Sequence, residues 1–374
     1  MNFIPYGKQT IEQDDIDSVI EVLKSPFITT GPKAKEFEDA IKQFCGAKYC
    51  ISVSNGTAAL HISSLALLNK NDKVLTTPNS FLATSNSILY ANAKPIFIDI
   101  AQDGNINLDL CEEYLKNDST IKAIYGVSFS GNMLNQEKLA HLKKTYNIKI
   151  VEDNAHSIGA VYDNIKAGSC INSDISIFSF HPVKHITTGE GGAITTNSKI
   201  LYDKMLKLRN HGIIKTDDMK PWEYEMIDLG FNYRITDIQC ALGITQLKKL
   251  PEFIKKRVQL AKNYDKAFNN SPIKPLYNYN GKSSYHLYVV LIDFTKFSIT
   301  KEQLFIKLKE KNINIQLHYM PINKQPYYKS LGYGDENTPN MDKYYEQCLS
   351  LPIYPLLSDE EQNYVIETIL NIII

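Results

Sequence analysis

The sequence predicts an α/β protein: a mainly parallel seven-stranded sheet with helices on both faces, followed by a smaller α/β unit towards the C-terminus. Three observations lead there. Short apolar runs at residues 49–53, 73–77, 95–98, 122–127, 148–152, 175–180 and 193–196 alternate with stretches of helical spacing at 58–68, 83–91, 108–115 and 136–146. Parallel strands need crossover segments of this kind, and the crossing helices cover both faces of the sheet. After Arg234 the pattern changes, and residues 237–250 and 251–269 read as two long helices, the second opening at Pro251, a residue suited to the first helical position. Finally, 374 residues at 43% hydrophobic and 22% charged supply core for a large domain and a smaller one. The expected division is residues 1–240, comprising an N-terminal arm and the large domain, and residues 241–374.

Taken in order, residues 11–24 have helical apolar spacing with acidic side chains in the first turns, where the helix dipole favours them. Residues 27–32 break the pattern at Gly31-Pro32, and a second helix over 33–45 ends near Gly46. The strand and helix alternation then fills the chain to residue 196. Beyond the two long helices, residues 272–280 are turn-rich, 286–293 form a Tyr/Val strand, 301–311 a helix and 313–319 a further strand. No internal repeat or low-complexity tract interrupts this series.

Composition excludes several classes of function. Lys plus Arg and Asp plus Glu both number 41, so no net field draws nucleic acid or an anionic membrane surface. The six cysteines are scattered without a Cys-x-x-Cys pair and read as reduced, mostly buried thiols of a cytosolic protein. Residues 1–15 carry Pro5 and early acids in place of an apolar core, and the apolar run at 366–374 is too short to cross a bilayer. A cytoplasmic protein without membrane attachment is the expectation. No Walker A run, His-Glu-x-x-His or metal-spaced Cys/His cluster is present, so no metal is expected. Residues 189–194 lack the third glycine of a dinucleotide fingerprint and follow a lysine loop where the first strand-helix turn is required.

The chemistry centres on Ser179-Phe180-His181-Pro182-Val183-Lys184 and Thr188-Gly189-Glu190-Gly191-Gly192. One lysine is held in a Pro/Gly-bounded loop between two strands. A lysine fixed by backbone and withdrawn from water has a depressed pKa and can attack an aldehyde to form a Schiff base. Ser179 offers a hydroxyl to a phosphate, and the glycines let backbone pass close to a flat ring. Asp153, in Val151-Glu152-Asp153-Asn154-Ala155-His156, stands at the carboxyl end of a strand, where ligands bind in open α/β sheets. A carboxylate there can pair with a protonated ring nitrogen, and His156 follows at helical spacing. The same two residues also read as a helix cap and a core histidine. Ser54-Asn55-Gly56-Thr57 lies between a strand and a helix, a turn that binds an anion or simply caps. Phe81, after another strand end, either stacks on a ring or fills core.

In this order, Ser-Asn-Gly-Thr, Asp-x-Ala-His, Ser-Phe-His-Pro-x-Lys, Gly-Glu-Gly-Gly and Asn-Tyr-Arg, the chain resembles the DegT/DnrJ/EryC1/StrS sugar aminotransferases from about residue 11 to its end. The resemblance implies an aspartate-aminotransferase-like (type I) fold, a homodimer with sites at the interface, and pyridoxal 5′-phosphate as cofactor. It assigns Lys184 the Schiff base and proton shuttle, Asp153 the pyridinium nitrogen and His156 the phenolic oxygen. Phe81 would stack, Thr57, Ala58 and Ser179 would hold the phosphate, and Asn232 would reach it from the partner subunit. Residues 103–106, 209–212, 282–284 and 316–319 are similar to family members that aminate a UDP-linked 4-keto-6-deoxy sugar, with L-glutamate as donor, for pseudaminic acid. Tyr319, His318, His286, Arg234 and His211 are the expected substrate contacts. A GDP-perosamine or TDP-amino-sugar transaminase carries the same central motifs. A non-catalytic regulator on this fold would bring a DNA-binding extension and a basic excess, and the chain shows neither.

Overall fold

The computed structural model describes residues 2–276 and 282–373. The chain runs in order through α1 (Gln13–Lys24), α2 (Pro32–Cys45), β1 (Tyr49–Val53), α3 (Gly56–Leu67), β2 (Lys73–Thr76), α4 (Ala83–Tyr90), β3 (Lys94–Phe97) and α5 (Leu108–Asn117). Then come β4 (Ile121–Val127), α6 (Gln136–Tyr146), β5 (Lys149–Asp153), a small hairpin of β6 (Val161–Tyr162) and β7 (Ile165–Lys166), β8 (Ile175–Ser179) and β9 (Gly192–Thr196). Local chemistry sets the ends. Pro32 opens α2, Gly46 closes it in the left-handed conformation that a side chain would strain, and Asn55 caps α3 by accepting from the Ala58 N–H.

Seven of these strands form one sheet in the order β1-β9-β8-β5-β4-β2-β3. All its neighbours from β8 to β3 are parallel; β9 alone runs against both β1 and β8. The reversal matters for the site. Gly192, the first residue of β9, pairs with Val53 at the end of β1 and with Ser179 at the end of β8. Asp153 closes β5 directly opposite Val127, the last residue of β4. The carboxyl ends of four strands and the start of a fifth therefore meet at one edge, the edge where ligands bind in open α/β sheets.

Beyond the sheet lie α7 (Lys199–Arg209), a hairpin of β10 (Ile213–Ile214) and β11 (Glu225–Met226), and α8 (Asp237–Phe268). The two helices expected on either side of Pro251 are one. Pro251 removes a single N–H, and packing of Leu247, Leu250, Phe253 and Leu260 along the helix carries it through. A second sheet of β12 (Lys274–Pro275), β13 (Tyr288–Leu291) and β14 (Cys348–Leu351) follows, with α9 (Lys301–Glu310), α10 (Pro326–Ser330), α11 (Pro339–Gln347) and α12 (Asp359–Ile373). Within the turn expected at 272–280, residues 274–275 are β12, and residues 277–280 lie outside the described residues. The strand expected over 313–319 does not form. Ile313 makes a parallel bridge to Ile4 of the N-terminal arm, Gln316 makes an antiparallel one to Ser350, and the run between them stays irregular. Ile4 is fully buried in a core with the second half of α8, α9, α12 and β13–β14. Separate cores fill the two faces of the large sheet. All six cysteines are buried and free. Among the described residues no helix is long and apolar enough to cross a membrane.

Candidate active site

A cavity of about 940 Å³ opens at the strand-end edge of the large sheet, between that sheet and the segment after α9. Its wall takes in Thr57, Ala58 and Ser179 together with Asp153, His156 and Lys184. Phe81 lies at the rim, 60% exposed, with its ring 6.4 Å from that of Tyr319. Three expected substrate contacts, His286, His318 and Tyr319, also line it. Arg234, His211 and Asn232 do not. Arg234 braces Asn210 through Nη1 at 2.5 Å, and the His211 N–H donates to the Phe231 carbonyl at 2.9 Å. Asn232 is exposed and bridges Asn210.

Residues 181–191 form the loop between β8 and β9, and the Lys184 N–H closes a turn onto the His181 carbonyl at 2.8 Å. Burial pushes the Lys184 amine down to about 8, against the pull of the Asp153 charge, which raises it. As the pH approaches 8 a growing fraction is therefore uncharged and able to act as nucleophile or base. Lys184 Nζ lies 3.5 Å from His286 Nε2. His156, His286 and His185 are all held well below the usual imidazole range, first by burial and then by the positive charge of Lys184 among other cations. His318 is pushed down to about 3 for the same reasons. These rings are neutral wherever the lysine works. His286, expected at the substrate, lines the cavity beside the lysine, its ring 4.3 Å from His156 and 5.4 Å from His185.

Asp153 is 6% exposed, and burial raises its carboxyl above the usual range, while hydrogen bonds and Lys184 oppose the rise. Oδ2 accepts from Thr84 Oγ1 at 2.6 Å and Oδ1 from the Ala155 N–H at 3.1 Å. His156 Nε2 is 3.1 Å from Tyr319 Oη.

At the other end α3 begins. The first-turn N–H groups of a helix lack partners within it, and the dipole adds partial positive charge. Ser179 brings its hydroxyl to this terminus. Gly192 serves it too: a Cβ there would lie 2.6 Å from the Asn55 carbonyl, so only glycine lets β9 pass behind the turn. The donor set fits pyridoxal 5′-phosphate. It presents an anion site, a lysine of lowered pKa and a buried carboxylate whose outer lone pairs still face the cavity. Sequence reasoning missed Thr84 and Tyr6, both in the cavity wall. Thr84 sits four residues after Ser80 in the first turn of α4, a spacing with no signature of its own, and Tyr6 arrives only because the arm folds back.

The family model for the DegT/DnrJ/EryC1/StrS aminotransferases matches residues 9–370. A Campylobacter jejuni protein named UDP-4-amino-4,6-dideoxy-N-acetyl-beta-L-altrosamine transaminase is 41% identical over 375 residues, covering 99% of this chain and 97% of the relative. The Helicobacter pylori protein of the same name is 34% identical, with 99% and 98% covered. Among solved structures, Helicobacter pylori PseC, described as an aminotransferase of pseudaminic acid biosynthesis, superposes with a TM-score of 0.92 at 32% identity, covering 99% of both chains. The Streptococcus pneumoniae putative sugar aminotransferase Spr1654, in its PMP form, gives 0.91 at 29% identity, with 99% and 98% covered. A match running through nearly the whole chain, in sequence and in fold alike, makes this protein a member of the DegT/DnrJ/EryC1/StrS aminotransferase family, whose transaminases depend on pyridoxal 5′-phosphate.

Proposed function

We propose that this protein transfers the amino group of L-glutamate to the C4 ketone of UDP-2-acetamido-2,6-dideoxy-β-L-arabino-hexos-4-ulose, in pseudaminic acid biosynthesis. The observation that carries the reading is Lys184. Its amine, lowered to about 8, stands in one cavity with a buried carboxylate and a helix terminus, in a chain 41% identical to a named altrosamine transaminase.

Pyridoxal phosphate, when bound, supplies an electron sink for the carbon that loses its proton. This chain's residues do the rest. Thr57, Ala58 and Ser179 would hold the phosphate at the α3 terminus, and Asp153 would pair with the ring nitrogen and keep it protonated. His156 would serve the phenolic oxygen and Phe81 would cover a ring face. Lys184 Nζ, neutral, removes the Cα proton of L-glutamate; in the return half it gives a proton to C4 of the sugar. The net exchange yields 2-oxoglutarate and the 4-amino sugar. His318 and Tyr319 face the sugar across the cavity, while the cavity's burial of Lys184 limits competing water.

The protein works as a homodimer in the cytoplasm. Support for the dimer comes from large apolar side chains left exposed on and just after α1, including Leu23, Phe27 and Ile28, and on the 213–229 hairpin, including Trp222 and Leu229. Asn232, exposed and outside the cavity of its own chain, is free to serve the partner's phosphate. Six free buried thiols suit a reducing compartment.

The test is a single-turnover panel. Protein converted to its amine form with L-glutamate is mixed with UDP-, TDP- or GDP-linked 4-keto sugars, and return of the visible absorbance of the lysine-bound form is followed. Return with the UDP-linked L-arabino sugar alone is expected. Return only with another nucleotide refutes the substrate, and no visible band in the pyridoxal-phosphate-loaded protein refutes the site.

A further inference from the structure

Asp153 receives help that the family reading does not mention. Its Oδ2 accepts from Thr84 Oγ1 at 2.6 Å, and Thr84 Oγ1 is 2.7 Å from Ser80 Oγ. The direction of this chain follows from chemistry. A carboxylate can only accept, so the single Thr84 proton goes to Asp153, and Ser80 must donate to Thr84. Both hydroxyls are buried, at 1% and 3% exposure, and both line the cavity.

The plain alternative is that these residues cap α4, as Ser and Thr at helix starts often do. The geometry argues otherwise. Leu82, the residue at the cap position, makes no side-chain cap, and the two hydroxyls turn to each other and to Asp153 instead of to the N–H groups of α4. Hydrogen bonds to an ionised group strengthen one another in a dry interior, so Ser80 sharpens Thr84 as a donor.

We propose that Ser80 and Thr84 form a directed hydrogen-bond relay that keeps Asp153 a carboxylate and aims it into the cavity, making both positioning residues for the cofactor's ring nitrogen. Ser80 also precedes Phe81, so the loop that supplies the stacking ring is tied to the carboxylate beneath that ring. The proposal rests on the cofactor assignment above. It extends that assignment to two residues that touch neither the lysine nor the phosphate end.

Without the Thr84 donor, burial acts on Asp153 unopposed on that oxygen, and the carboxyl takes up a proton at higher pH. The ionisable groups coupled to it are Lys184, from the loop after β8, and Tyr319, from the segment after α9; His156 follows on its own segment. None of them replaces the lost donor on Oδ2.

The test compares wild type with Thr84→Val, Thr84→Ser and Ser80→Ala, each stripped of cofactor and titrated with pyridoxal 5′-phosphate by fluorescence at pH 6 and pH 8. Losing a hydrogen bond to a charged group weakens binding roughly 10- to 100-fold for Thr84→Val. The weakening should be larger at pH 6 than at pH 8. Thr84→Ser keeps the donor and stays within about threefold of wild type, and Ser80→Ala falls between. Melting of the cofactor-free variants separates packing from positioning. Equal affinity of Thr84→Val and wild type at both pH values overturns the relay. So does equal loss in Thr84→Ser and Thr84→Val, or a loss that tracks a fall in the melting point. A wild type that binds no cofactor refutes the site itself, a distinct outcome.

Discussion

Replacing Asp153 by Asn separates the carboxylate's charge from its place in the structure. The side chains have nearly the same shape, but both Asp153 oxygens accept hydrogen bonds, from Thr84 and from the Ala155 N–H. Asn has one oxygen and one NH2, so one of those donors meets another donor. The larger loss is the negative charge opposite the ring nitrogen. Breaking a buried ion pair by removing one partner costs about 3–5 kcal/mol. If that cost falls on the transition state, the half-reaction with L-glutamate slows between about 10² and about 10⁴-fold, since 1.36 kcal/mol is tenfold. A second signature accompanies the rate. Asp153 raises Lys184, so its neutralisation lets the amine fall below about 8, and the pH limb for free, neutral lysine moves to lower pH. Stopped-flow loss of the visible band against L-glutamate, from pH 6 to pH 9, reads both. A rate within about fivefold of wild type with an unmoved limb would refute the assignment of Asp153.

Two further outcomes follow from other parts of the molecule. In Gly192→Ala the new Cβ meets the Asn55 carbonyl at 2.6 Å, so the α3 turn shifts; cofactor affinity drops at least about tenfold while the rest of the sheet survives, read by pyridoxal phosphate titration beside far-UV circular dichroism. Unchanged affinity would remove the turn from the phosphate site. Asp15 is fully buried between α1 and α8; burial alone would raise its carboxyl, but hydrogen bonds from Lys249, Thr245, the Glu12 N–H and Gln246 hold it below the usual range. A carboxylate lowered in the folded state adds stability above its unfolded pKa of about 4 and loses it as pH falls through the folded value. Asp15→Asn should therefore lower the melting temperature at pH 7 and flatten its decline between pH 5 and pH 2. Parallel wild-type and variant curves would count against this latch.

The seven strands of the large sheet were readable because each is a short, doubly covered apolar run between helical stretches, and their ends fall within one or two residues of expectation. Lys184 and Asp153 were readable because chemistry puts rare residue types at strand ends. What failed depended on tertiary contact. Pro251 reads locally as a helix start, yet the helix passes through it because its neighbours on both sides bury apolar side chains. Residues 313–319 look like a strand, but among the described residues they bridge only to single residues, Ile4 and Ser350. The helices α7, α11 and α12 and the strand β14 went unread, although the apolar run at the chain's end is the buried stripe of α12. His286 was given to the substrate because a histidine near an active site invites that role. The fold adds that it lines the cavity as part of a wall of buried histidines beside the lysine.

That wall explains how one lysine can dominate the proton chemistry. Four buried histidines, His156, His185, His286 and His318, lie close enough to Lys184 for its charge to lower each of them, and burial lowers them further. Arg257 stands behind two of them with its Nη1 on the carbonyls of Tyr285, His286 and Ile353, and it adds to their neutrality. A charged imidazole beside Lys184 would compete for the same proton and would repel the protonated amine. Neutral rings do neither; they shape the cavity and take single hydrogen bonds. With the histidines silent, and with Asp153 given the ring nitrogen under the proposed function, the lysine, poised near 8, would be left to take a proton from one substrate carbon and return one to another.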